Sequence, residues 1–60
     1  MEQTIKNVNE LRSAVTLLSA RVNNMCNATT TEEVAVEFSE AKDLLVAIFK
    51  FNVQRMIKND

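Results

Sequence analysis

Cys26-Asn27-Ala28-Thr29-Thr30-Thr31-Glu32-Glu33 is the one polar break in a chain whose apolar residues otherwise recur at helical spacing. It contains an ending and a beginning. Asn residues near 24–27 can close a helix by taking the left-handed conformation that Gly usually supplies. Thr30, followed three residues later by Glu33, is a capping box. In such a box the hydroxyl accepts a bond from a free backbone N–H, and the carboxylate reaches back to the cap's own N–H. The break therefore predicts a helix over about 3–26, a loop over 27–30 and a second helix over about 31–58.

Upstream of the break the pattern is a heptad. With Val8 at position a, Met1, Val8, Val15 and Val22 occupy a, while Thr4, Leu11, Leu18 and Met25 occupy d. Thr4 is the only polar residue among them, which is the signature of an amphipathic helix with a narrow seam. Ile5 widens the stripe at its start. Leu17 points away from it, with Ala20 as its only apolar near neighbour. Leu17 is accordingly a candidate contact for something outside the core.

Downstream, Val34, Phe38, Ala41, Leu45, Ile48, Asn52 and Met56 form a central stripe at 100° per residue. From residue 44 onward the apolar surface broadens. Leu44 and Phe51 extend one flank, Phe49 and Val53 the other, and Val46 and Ile57 lie further round. One partner helix cannot cover more than half the circumference of another. The residues expected in an oligomer interface are therefore Leu44, Leu45, Ile48, Phe49, Phe51, Asn52, Val53 and Met56. Asn52 is the polar member of the stripe, and its symmetry mate across a two-fold is one candidate partner for its amide.

Composition agrees with two long helices joined once. The 60 residues include no Gly and no Pro, the residues on which tight hairpin turns depend. The expected fold is all-α: an antiparallel two-helix hairpin forming a single domain over 1–60. Acids lead the second helix (Glu32, Glu33, Glu37, Glu40, Asp43) and Lys50, Arg55 and Lys58 close it, in the order that complements the helix dipole. A chain of this size buries only about 60% of the surface its unfolded form exposes. Dimerisation into a four-helix bundle covers the surplus apolar surface and enlarges the core together.

The same composition removes most chemistry. There is no His and no Trp, and Cys26 is the one cysteine. Imidazole bases, histidine metal sites, cysteine-rich zinc sites and intramolecular disulfides are thereby excluded. No Gly-rich phosphate loop can exist without glycine. Cys26 has no His and no evident carboxylate partner, and reads as a buried structural thiol at the end of helix 1. Glu37-x-x-Glu40-x-x-Asp43 is superficially similar to the carboxylate pairs of all-α nucleotide pyrophosphatases. That family places its two pairs on separate helices around Mg²⁺. Here Glu33, Glu37 and Glu40 share one helix, which cannot surround an octahedral ion, so they read as a solvated face. No catalytic residue, cofactor or metal site is expected.

The remaining classes are binding classes. A net charge of −1, with acids and bases interleaved, disfavours a nucleic-acid partner. In length and hairpin layout the chain resembles the small dimeric RNA-binding hairpins that regulate plasmid copy number. No shared motif carries residues across. That resemblance supplies the alternative reading, an RNA- or DNA-binding dimer using Lys6, Arg12 and Arg21. Leu44–Val53 is ten residues long and holds Lys50 and Asn52, too short and polar for a membrane span. Met1-Glu2-Gln3 lacks the basic and apolar regions of a signal peptide, and a lone Cys26 fits a reducing cytosol. Asn27-Ala28-Thr29 matches a glycosylation sequon without a secretion signal. The expectation is a cytoplasmic, self-associating module that binds another protein as adaptor, regulator or inhibitor. Small helical proteins of this kind include ones encoded by phages.

Overall fold

In the computed structural model, which describes residues 4–58, two helices run antiparallel and pack along each other: α1 (Val8–Asn27) and α2 (Thr31–Lys58). The hairpin has principal extents of 46 × 17 × 16 Å. The expected all-α hairpin is present, and α2 spans the expected residues.

α1 begins later than its heptad suggests. The Asn7 side chain accepts the Glu10 N–H at 2.9 Å, and the Glu10 carboxylate accepts the Lys6 N–H at 3.2 Å. Asn7-Val8-Asn9-Glu10 is thus a capping box in its own right, and residues 4–6 are not helical. The apolar repeat continues upstream through Thr4 to Met1. Local satisfaction of the first backbone donors outweighs it. Met1 itself lies outside the described residues.

The other end of α1 also differs in its means. No described residue has a positive φ, so no Asn takes the left-handed conformation. Ala28 instead swings to φ −68°, ψ 145°, and its N–H donates to the Met25 carbonyl at 3.2 Å. The Asn27 side chain donates to the Asn23 carbonyl at 3.1 Å. The Met25 carbonyl of the last turn is thereby satisfied without a strained residue, and the Asn23 carbonyl gains a second donor.

α2 starts at the expected cap. Thr30 Oγ1 accepts the Glu33 N–H at 3.1 Å. The Glu33 carboxylate reaches back to the Thr29 N–H at 3.3 Å, one residue upstream of the group the box predicts. The extended Ala28 points that earlier donor toward the helix, which accounts for the shift.

The seam between the helices is rotated from the one the heptad implies. Its members on α1 are Leu11, Ala14, Leu18, Arg21 and Met25; on α2 they are Glu37, Ala41, Leu44, Ile48 and Phe51, with Ala47 beside them. The d positions of α1 keep their place, but Ala14 and Arg21 replace Val15 and Val22. Among the described residues only Ala14, Ala41, Leu44 and Ala47 are buried outright. Three of these four are alanine. Small side chains let helix axes approach closely, toward the short end of the usual range of about 8–10 Å. Arg21 adds a charge match across the seam: its Nε donates to Glu40 at 2.8 Å and its guanidinium contacts Glu37 at 3.3 Å. Rotating α1 to bring Val22 inward would take Arg21 away from both carboxylates.

Candidate functional site

With Ala14, Ala41, Leu44 and Ala47 buried inside the hairpin and Leu11, Leu18, Met25, Ile48 and Phe51 half-buried beside them, a second set of large apolar side chains is left outside it. On α1, Val8, Val15 and Val22 are each 46% exposed. On α2, Phe38 is 58% exposed, Leu45 56%, Phe49 66% and Met56 69%, with Val34 beside them at the loop end.

These two rows lie on one side of the molecule. At 100° per residue, the valine row is about 80° round from the α1 seam, and the Phe38–Leu45–Phe49–Met56 row about 100° round from the α2 seam, in the same rotational sense. In antiparallel helices an equal sense of rotation brings both rows to the same broad face. The result is an apolar face two helices wide. The opposite face carries Glu10, Ser13, Asn24, Glu40, Asp43 and Gln54.

The expected interface residues divide accordingly. Leu45, Phe49, Val53 and Met56 are exposed, Leu45, Phe49 and Met56 belonging to the apolar face and Val53 lying near its outer edge. Leu44 is 4% exposed and packs within the hairpin itself, so the expectation that it meets another subunit is corrected. Ile48, Phe51 and Asn52 are half-buried. Phe51 borders a crevice shared with Thr4, Ile5 and Lys6, and the Arg55 guanidinium lies 5.9 Å from its ring centroid. Asn52 donates to the Ile48 carbonyl at 3.0 Å, so its amide has a partner within its own helix. The valine row was read as the internal seam and is instead the α1 half of the exposed face.

Other expected roles change as well. Cys26 is exposed, not a buried structural thiol, because it falls about 100° round from the seam on the valine side. Glu37 and Glu40 do not form a purely solvated face: both bind Arg21, and Glu37 is half-buried. Arg21, one of the three cations named for nucleic-acid contact, is paired with both carboxylates and half-buried. Among the described residues no group of three or more acidic, Cys or His side chains is arranged to hold a metal ion. Leu17 stands 47% exposed on the polar face, on the side shared with exposed Val36. No described helix is long and apolar enough to cross a membrane.

The Asn-x-x-Glu box at residues 7–10 was available in the sequence and marks the true start of α1. The pairing of Arg21 with Glu37 and Glu40 had no comparable signal. It depends on two helices meeting, and nothing local to either one specifies it. No family model, no curated protein and no solved structure matches the chain.

Proposed function

We propose that the protein is a non-catalytic interaction module, an adaptor, regulator or inhibitor in the cytoplasm, that works as a homo-oligomer and binds another protein. The observation that carries this reading is the apolar face shared by α1 and α2. Contiguous apolar surface of this kind on a small protein marks an association site. A hairpin whose buried set is three alanines and one leucine gains most from covering it. The polar face, with Leu17 and Val36 as its large exposed apolar residues, remains for a second protein.

Light scattering coupled to gel filtration tests self-association: a particle above the 6.8 kDa chain mass at micromolar concentration is expected, and a compact monomer refutes it. Affinity capture from native lysate tests the class of partner. Protein retained at high salt and lost with Leu17→Ser supports the proposal. Nucleic acid that elutes with salt and is lost with Arg12→Ala or Lys6→Ala overturns it in favour of the RNA- or DNA-binding reading.

A further inference from the structure

We infer that the apolar face is covered by a second copy of this chain, stacked face to face with its loop at the opposite end of the bundle. The inference rests on the self-association proposed above and adds the surface and the orientation. Three observations carry it.

The first is angular. In a square four-helix array each helix sees its two neighbours about 90° apart. Both helices here present a second apolar row about 80–100° from the first, turned in the same sense. One row already meets the other helix of the hairpin. The second is aimed where a helix of a second hairpin would lie, and this holds on α1 and α2 at once.

The second is area. The chain exposes 4848 Å², whereas a folded monomer of its mass exposes about 4000 Å² by the usual scaling. The surplus of roughly 900 Å² is that of an elongated hairpin with one face uncovered, and it leaves room for the ~800 Å² each partner contributes to a standard stable interface.

The third is charge, and it sets the direction. Between Arg21 and Asp43, the loop half, five acids (Glu32, Glu33, Glu37, Glu40, Asp43) stand against Arg21 and Lys42. In the rest of residues 4–57, four bases (Lys6, Arg12, Lys50, Arg55) stand against Glu10. With Glu2, Lys58 and Asp60 added from the full sequence, the loop half carries three net negative charges and the open half two net positive ones. A two-fold along the bundle axis would place both loops together, acid on acid and base on base. A two-fold across the bundle sets each acidic half against the basic half of the partner. Most of these groups, Glu10, Glu40 and Asp43 among them, lie away from the apolar face, so they act as the opposed fields of the two halves along the bundle, which selects orientation and adds little affinity.

Cys26 lies on the valine side, within the face to be covered, so the nitroxide label is carried by Thr29→Cys in the loop, in a Cys26→Ser background. Residue 29 lies about 20 Å along the axis from the hairpin midpoint near Val15 and Leu45, at 1.5 Å per residue. Double electron–electron resonance on the labelled protein should give a modal separation of about 40 Å, whereas loops at the same end bring the labels within about 20 Å. The short distance overturns the orientation and leaves self-association standing. No dipolar coupling, with the unlabelled protein sedimenting as a monomer, overturns self-association itself.

Sedimentation equilibrium of the unmodified protein gives an independent answer. Raising salt from about 20 to 500 mM should weaken the dimer about threefold or more, because the paired halves attract; a constant or smaller Kd refutes the orientation. The face is tested separately. Phe49→Asp should weaken the dimer at least about tenfold while Val36→Asp, on the polar face, leaves it unchanged, and the reverse result assigns the interface elsewhere.

Discussion

Leu44 and Leu45 are adjacent, chemically identical and separated in role by the rotation of α2. Leu44 is 4% exposed and is the one large side chain among the four buried residues; Leu45 is 56% exposed on the outer row. Truncation to Ala removes three carbons. At about 0.8 kcal/mol per buried carbon, Leu44→Ala loses ~2.4 kcal/mol of transfer energy, and the residual cavity brings the cost to about 2–4 kcal/mol. Leu45 has less than half its surface covered within the hairpin, and no cavity forms when it is cut back. Its truncation should cost about 1 kcal/mol in the isolated hairpin. Urea denaturation followed by far-UV circular dichroism, at a concentration where sedimentation shows monomers, measures both. At higher concentrations the Leu45→Ala loss should grow, because association stabilises only the folded form that presents the row. The Leu44→Ala loss should stay constant. Equal losses for the two variants in the monomer, or a larger one for Leu45→Ala, would refute the assigned seam and with it the identity of the exposed face.

Asn7→Ala and Thr30→Ala should each cost about 1 kcal/mol in the same denaturation experiment, since each removes the acceptor for a first-turn N–H. Unchanged stability of Asn7→Ala would return the start of α1 to its upstream heptad. Arg21→Met should change stability by less than about 1 kcal/mol, because the Arg21 side chain is 36% exposed and the Glu40 side chain 47%, so solvent screens the pair. A double-mutant cycle with Glu40→Gln reads the coupling, and a value well above that limit would mean a drier seam than the structure has. Cys26 should react with a thiol reagent in the folded monomer at the rate of a free thiol. Protection in the monomer would put Cys26 back inside the hairpin.

Much of this protein is specified locally. The absence of Gly and Pro, the Thr30–Glu33 box and the apolar periodicity on either side of it suffice for two helices and one connection. Backbone satisfaction is decided within a few residues, so the Asn7–Glu10 box is equally readable, and it overrides the apolar repeat that runs on to Met1. Periodicity also places the surplus of apolar surface on α2. What it does not contain is the rotation of one helix against the other.

Each helix offers two adjacent apolar rows, one that mixes alanines and charged residues with Leu11, Leu18, Met25, Leu44, Ile48 and Phe51, and one of Val8, Val15, Val22, Phe38, Leu45, Phe49 and Met56. Hydrophobicity alone does not choose between them. The tertiary structure buries the first, because Ala14, Ala41 and Ala47 permit close approach and Arg21 meets Glu37 and Glu40 only in that rotation. Both causes belong to the pair of helices and to neither alone. The sequence by itself determined that the chain is a helical hairpin with apolar surface to spare. Only the packing of α1 on α2 decided which row stays outside, since a turn of about 90° moves every side chain from one row to the other at no change in the local pattern.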